Sequence, residues 1–153
     1  MIEIKKILFP CDFTENSIKI IPYVLSLSEK YNSMIYILHV VDDLSKWGGF
    51  FIPHLSMDMF QNEAVKGAEK MMEKIYNEHL QDCPDSQKKI ITGDPALEII
   101  KTVESEEIDL VIMGTHGRKG LEHIILGSVA EHIVKKSPVP VLTINPHKLP
   151  AKK

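Results

Sequence analysis

Residues 108–128 read IDLVIMGTHGRKGLEHIILGS. The stretch opens with an apolar run, Ile108 to Met113, passes through a loop holding Gly114 and Gly117, and reaches Gly127-Ser128, where a short helical segment, Val129 to Lys136, begins. A strand, a glycine loop and a helix in that order form one unit of an open α/β sheet, whose ligands bind outside the carboxyl ends of the strands at a topological switch point. Gly114 and Gly117 permit a tight turn and close approach of the backbone to a ligand. The free N–H groups and dipole at the start of the last helix favour an anion, and Ser128 adds a hydroxyl. Arg118 and Lys119 bring positive charge to the loop. A phosphate group fits these parts.

The rest of the chain repeats the alternation. Lys6 to Pro10 ends a first apolar run, and a helix-period segment spans about Glu15 to Tyr31 with Ile18, Ile21, Leu25 and Ser28 on one face. Pro22 inside it predicts a kink or a late start. Met34 to Val41 reads as a buried strand. Phe60, Ala64, Ala68, Met71, Met72 and Ile75 recur at spacings of three and four, an amphipathic helix to about Leu80 with both methionines in the core. Lys88 to Thr92 is a third strand. Asp94 suits an N-cap and Pro95 a first helical position, with Leu97, Ile100 and Val103 facing inward and Ile99 flanking them. Pro138 to Ile144 is the fifth strand, and Pro140, lacking an N–H, places it at an edge. The order βαβαβαβαβ implies a parallel sheet with helices on both faces. Residues 1–147 read as one domain and 148–153 as a tail.

Composition sets the class. The 153 residues include 18 Lys and Arg against 21 Asp and Glu, a net charge of −3; 44% are apolar and 25% charged, which is ordinary for a folded domain rather than a disordered one. Cys11 and Cys83 are the only cysteines, so a disulfide scaffold is not expected and a reducing cytoplasm is the default. No apolar run approaches the ~20 residues of a membrane span. The mildly acidic balance argues against a nucleic-acid partner.

Other chemistries find little support. The P-loop pattern and the G-x-G-x-x-G fingerprint are absent, as are H-E-x-x-H and C-x-x-C, so no metal site is expected from the seven histidines. Ser128 lacks the G-x-S-x-G elbow of a hydrolase nucleophile. Cys11 reads as a packed thiol, and Cys83 as a loop thiol. Asp42 to Met57, with Trp47, Phe50 and Phe51, shows no period and is long for a loop. A lid over a ligand, a partner patch and the core of an irregular loop all fit it.

Gly114, two residues, Gly117, nine residues, Gly127 and Ser128 match the G-2x-G-9x-G-[S/T] signature, and on that match the chain resembles the universal stress proteins. The likeness extends to residues 7–17 (ILFPCDFTENS), to Gly93-Asp94-Pro95-Ala96 and to residues 137–142 (SPVPVL). It implies a single five-stranded parallel sheet of order 3-2-1-4-5 and binding of ATP or AMP, with magnesium accompanying ATP. It implies that Pro10, Cys11, Asp12 and Phe13 line the adenosine end, that Val40 and Val41 contact the base, and that Met113, Gly114, Gly117, Gly127, Ser128 and Val129 hold ribose and phosphates, with His116 and Arg118 close by. It also implies a homodimer through the last edge strand, Val139 to Ile144, in a stress-response or signalling role with a protein partner still to be found. Slow ATP hydrolysis, with Asp12, His116 and Arg118 as candidate groups, and a nucleotide-independent interaction module are the alternatives.

Overall fold

The computed structural model describes residues 1–47, 57–83, 85–116 and 126–150. Five parallel strands, β1 (Lys6–Pro10), β2 (Met34–Val41), β3 (Ser86–Thr92), β4 (Leu110–Gly114) and β5 (Val141–Ile144), form one sheet in the order β3-β2-β1-β4-β5. This is the expected order. The connections carry α1 (Glu15–Tyr31), a 3₁₀ turn at Leu44–Trp47 followed by α2 (Met57–His79), α3 (Pro95–Ser105) and α4 (Ser128–Lys136). No described helix is long and apolar enough to cross a membrane.

Alternation along the strands divides the core between two faces. Ile7 and Phe9 of β1 pack with α1 and α2 through Ile20, Ile21, Val24, Met72 and Ile75. Leu8, between them, points the other way, toward Ile99 and Val103 of α3 and Ala130 and Ile133 of α4. Both faces are therefore covered, which is what near-continuous apolar strands require.

The helix phases differ in detail from the sequence reading. α1 buries Ser17, Ile20, Ile21, Val24 and Ser28, whereas Ile18 and Leu25 flank that face. It starts at Glu15 rather than after Pro22, because the Thr14 side chain accepts the Ser17 N–H and the exposed Pro22 leaves the packed face intact. α3 turns Ile99, Thr102 and Val103 inward and leaves Leu97 50% exposed. Its Asp94 cap, accepting the Leu97 N–H, holds Leu97 in the first turn, away from the sheet. In α2, Met72 is buried at 2% exposure while Met71 is 40% exposed, since neighbours in a helix lie 100° apart and only one meets the sheet. β4 and β5 begin two and three residues later than expected. Pro140 precedes the ladder but still contributes its carbonyl to the Val111 N–H at 3.0 Å.

The two methionines give a test of this phase. Met72→Ala is expected to cost about 2–5 kcal/mol in urea denaturation, and Met71→Ala less than about 0.5 kcal/mol. Equal losses would place both in the core.

Candidate functional site

The chain runs from β1 to β2 and β3 on one side and returns to β4 and β5 on the other, so the crossovers leaving β1 and β4 diverge. A cavity of about 350 Å³ lies there, at the carboxyl ends of the strands. This is the switch point of an open α/β sheet.

One wall comes from the end of β1. Cys11 donates its N–H to the Leu38 carbonyl at 2.8 Å, prolonging the pairing with β2. Asp12 then turns the chain. Its Oδ1 accepts from the Thr14 N–H (3.0 Å), the Thr14 hydroxyl (2.5 Å) and the Ser17 hydroxyl (2.6 Å). These bonds hold Phe13 at φ 66°, left-handed backbone that a bulky side chain rarely adopts. Phe13 stacks on His39, with ring centroids 4.0 Å apart and planes at 21°. His39 Nδ1 donates to the Cys11 carbonyl at 2.7 Å, which fixes that nitrogen as the protonated one.

The opposite wall comes from β4 and α4. The Thr115 N–H reaches the Ile144 carbonyl at 2.9 Å, and the Gly127 N–H reaches the Thr115 carbonyl at 2.7 Å. Residues 115 and 127 are thereby tied together. Added bulk is tight at both ends of this closure, against a side-chain end at 114 and against backbone at 127. A Cβ on Gly114 would lie 2.7 Å from Ile20 Cδ1, and one on Gly127 would lie 3.0 Å from the Thr115 carbonyl oxygen. Gly127 is the N-cap of α4 and supplies no side-chain cap, unlike Thr14 and Asp94 at α1 and α3. Among the described residues no side chain caps the first N–H groups of α4, which start at the cavity, where Ser128 and Val129 line the wall. His116, 5% exposed, closes the floor, with Nδ1 2.8 Å from the Thr115 hydroxyl and its ring 5.5 Å from that of His147.

Pro10, Cys11, Asp12, Val40, Met113, Gly114, His116, Gly127, Ser128 and Val129 all line this cavity. Phe13 and Val41 line a neighbouring one instead, across the end of β2. Gly117, Arg118 and Lys119 lie outside the described residues, as do residues 48–56 of the aromatic segment. Sequence reasoning missed Ser17, Leu38, His39, Asp42, Pro95, Ile99, Thr115 and Ala130, which also line the wall. Thr115 and Ala130 flank the glycine signature and were within its reach. The place of Ile99 follows only from the true phase of α3, and that of His39 from the register of β2 against Cys11.

Charge at the described wall is modest. Asp12 and Asp42 are acidic, the imidazoles of His39 and His116 face the same space, and no described Lys or Arg lines it. No group of three or more His, Cys, Asp or Glu suited to a metal occurs among the described residues. Burial pushes the Cys11 thiol from its ordinary 9.0 up to about 11, against a lowering contribution from the Phe13 N–H.

Fold and site together define an α/β protein with a crevice at its switch point and the start of α4 at one end. Residues 3–145 match the sequence model of the Universal stress protein family, and the chain belongs to that family. It is 36% identical to universal stress protein MJ0577 of Methanocaldococcus jannaschii, over 92% of this chain and 94% of the relative. The solved structure of MJ0577 superposes with a TM-score of 0.80 at 33% identity, covering 94% and 97% of the two chains. A universal stress protein in complex with cAMP (TM-score 0.60, 13% identity, 93% and 97% coverage) and the Archaeoglobus fulgidus protein in complex with dAMP (0.65, 14%, 95% and 100%) share the fold.

The buried thiol carries a pH signature. Folded chain keeps the Cys11 proton where unfolded chain has lost it, so this contribution is intact below about 9 and is lost as pH rises toward 11. Stability measured by urea denaturation is expected to fall across that window, and Cys11→Ala to flatten the fall. An unchanged slope in the variant would remove the thiol from the account.

Proposed function

We propose that this universal stress protein binds an adenine nucleotide, ATP or AMP, in the crevice between the ends of β1 and β4. The observation that carries this reading is the closure of the glycine signature: the Gly127–Thr115 bond sets the uncapped start of α4 against the cavity. Backbone N–H groups in that setting favour a phosphate. The cavity of about 350 Å³ lies in the range of small-molecule sites. Relatives of this fold hold cAMP and dAMP, which are ligands of the same chemistry.

In this reading the phosphates lie at Gly127, Ser128 and Val129, with Gly117, Arg118 and His116 beside them. The base lies toward Pro10, Asp12 and Val40. Asp12 meets ribose or base through Oδ2, because Oδ1 is committed to Thr14 and Ser17. Magnesium would travel with the phosphates of ATP, for which the described residues offer no cluster of their own. Occupancy biases a protein partner or a homodimer in the cytoplasm.

The homodimer would form through β5. The two edges of the sheet differ. β3 carries Lys88 and Lys89, side chains that discourage strand addition, whereas β5 presents Leu142 at 40% exposure. Leu142→Lys is expected to convert a dimer to monomer in sedimentation velocity; an unaltered dimer would move the interface elsewhere.

The binding reading is tested by thermal melting. Ligand at a hundredfold excess over its dissociation constant stabilises the fold by about 2.7 kcal/mol, a rise of roughly 5–10 °C for a chain of this size. Ser128→Ala should shrink the rise and Gly127→Val abolish it. No shift with ATP, AMP or cAMP would defeat the proposal.

A further inference from the structure

The crevice does not end at β2. A second cavity of about 380 Å³ adjoins it beyond the carboxyl end of that strand, and Asp12, His39, Val40 and Asp42 line both. The far wall is apolar and comes from Phe13, the 3₁₀ turn and α2, whose Ala64, Gly67 and Met71 face the space. This wall is braced by the protein itself. Gln61 of α2 accepts the Leu44 N–H at 2.8 Å and donates to the Asp42 carbonyl at 3.2 Å, fastening the turn to the helix. The Phe13 ring is steadied by its stack on His39.

Gly67 sits inside α2, where glycine weakens a helix relative to alanine. Among the described residues close packing does not demand it, because a Cβ added there meets none of them within 4 Å. With respect to the described residues, a side chain at this wall would enter the second cavity. The order of parts along the sheet edge then identifies the ligand group. α4, the phosphate end, follows β4; β2, the base end, lies on the other side of β1; the second cavity lies off the carboxyl end of β2, against α2. In the pose proposed above the base lies at Val40, which lines both cavities, while the phosphates lie at α4, so a group carried by the base reaches the second cavity and the phosphate chain does not. The carboxylates of Asp12 and Asp42 flank the junction and disfavour an anionic group there, so a dinucleotide's second phosphate is a poor fit.

We propose that the site takes adenylates bearing an uncharged apolar group on the base, with that group lodged between β2, the 3₁₀ turn and α2. This deepens the adenine-nucleotide reading and rests on it. The experiment is calorimetric titration of the full chain with AMP and with N6-benzyl-AMP, using the native sequence, Gly67→Ala and Gly67→Leu. Leucine is a strong helix former, so the last variant is expected to fold, and a thermal melt of each variant checks this. The native chain should bind N6-benzyl-AMP at least as tightly as AMP. Gly67→Leu should keep its AMP affinity within about threefold and lose about tenfold or more for N6-benzyl-AMP, a difference of about 1.4 kcal/mol. Rejection of N6-benzyl-AMP by the native chain while AMP still binds overturns the inference alone. So does a Gly67→Leu variant that treats the two ligands alike. Failure of AMP itself to bind overturns the adenylate reading and this inference with it.

Discussion

The hydrogen bond from the Gly127 amide to the Thr115 carbonyl, 2.7 Å long, holds the two ends of the glycine signature together. A side chain at 127 would crowd the same carbonyl, and one at 114 would require the end of the Ile20 side chain in the core beneath to shift. The sequence constraint is therefore steric before it is chemical: β4 must pass close over α1, and α4 must begin close against the end of β4. Once those approaches are made, the first turn of α4 opens on the crevice, and no described side chain caps it. The parallel sheet supplies the rest, because the crossovers from β1 and β4 leave in opposite directions and a gap between them cannot be avoided.

The wall opposite is built on strain held in place. Phe13 adopts a left-handed conformation that costs of order 1–3 kcal/mol for a residue of this kind. The three hydrogen bonds into Asp12 Oδ1, at roughly 0.5–1.5 kcal/mol each, are of the size needed to offset it. Asp12 thus has a structural duty that limits what its carboxylate can do for a ligand. The same turn sends the Phe13 ring across the end of β2 onto His39, so that one strained residue shapes the second cavity while its neighbours Pro10, Cys11 and Asp12 shape the first.

Much of this was legible in the residues. The alternation of β-branched runs with amphipathic segments gives the sheet and its two helical layers, and Asp94-Pro95 marks a helix start that the structure places within a residue. Helix phase was less so. Leu97 and Met71 are apolar at plausible spacings yet stand exposed, because a cap and a neighbouring buried residue settle which side meets the sheet. At the site, the glycines announce themselves through spacing. His39 does not: it reads as one residue in an apolar strand, and only the β1–β2 register brings it under the Cys11 carbonyl and against Phe13. Residues recruited by pairing across distant strands leave no local pattern to read.

The central claim is that the closed glycine signature makes the crevice a nucleotide site. Backbone amide shifts recorded by ¹H–¹⁵N NMR during titration with AMP test it most directly. Saturable changes are expected at Gly127, Ser128 and Val129 and at Asp12 and Val40 across the crevice, with little change at the opposite, amino end of the sheet. Changes scattered over the surface, or a spectrum unaltered at millimolar AMP, would contradict it.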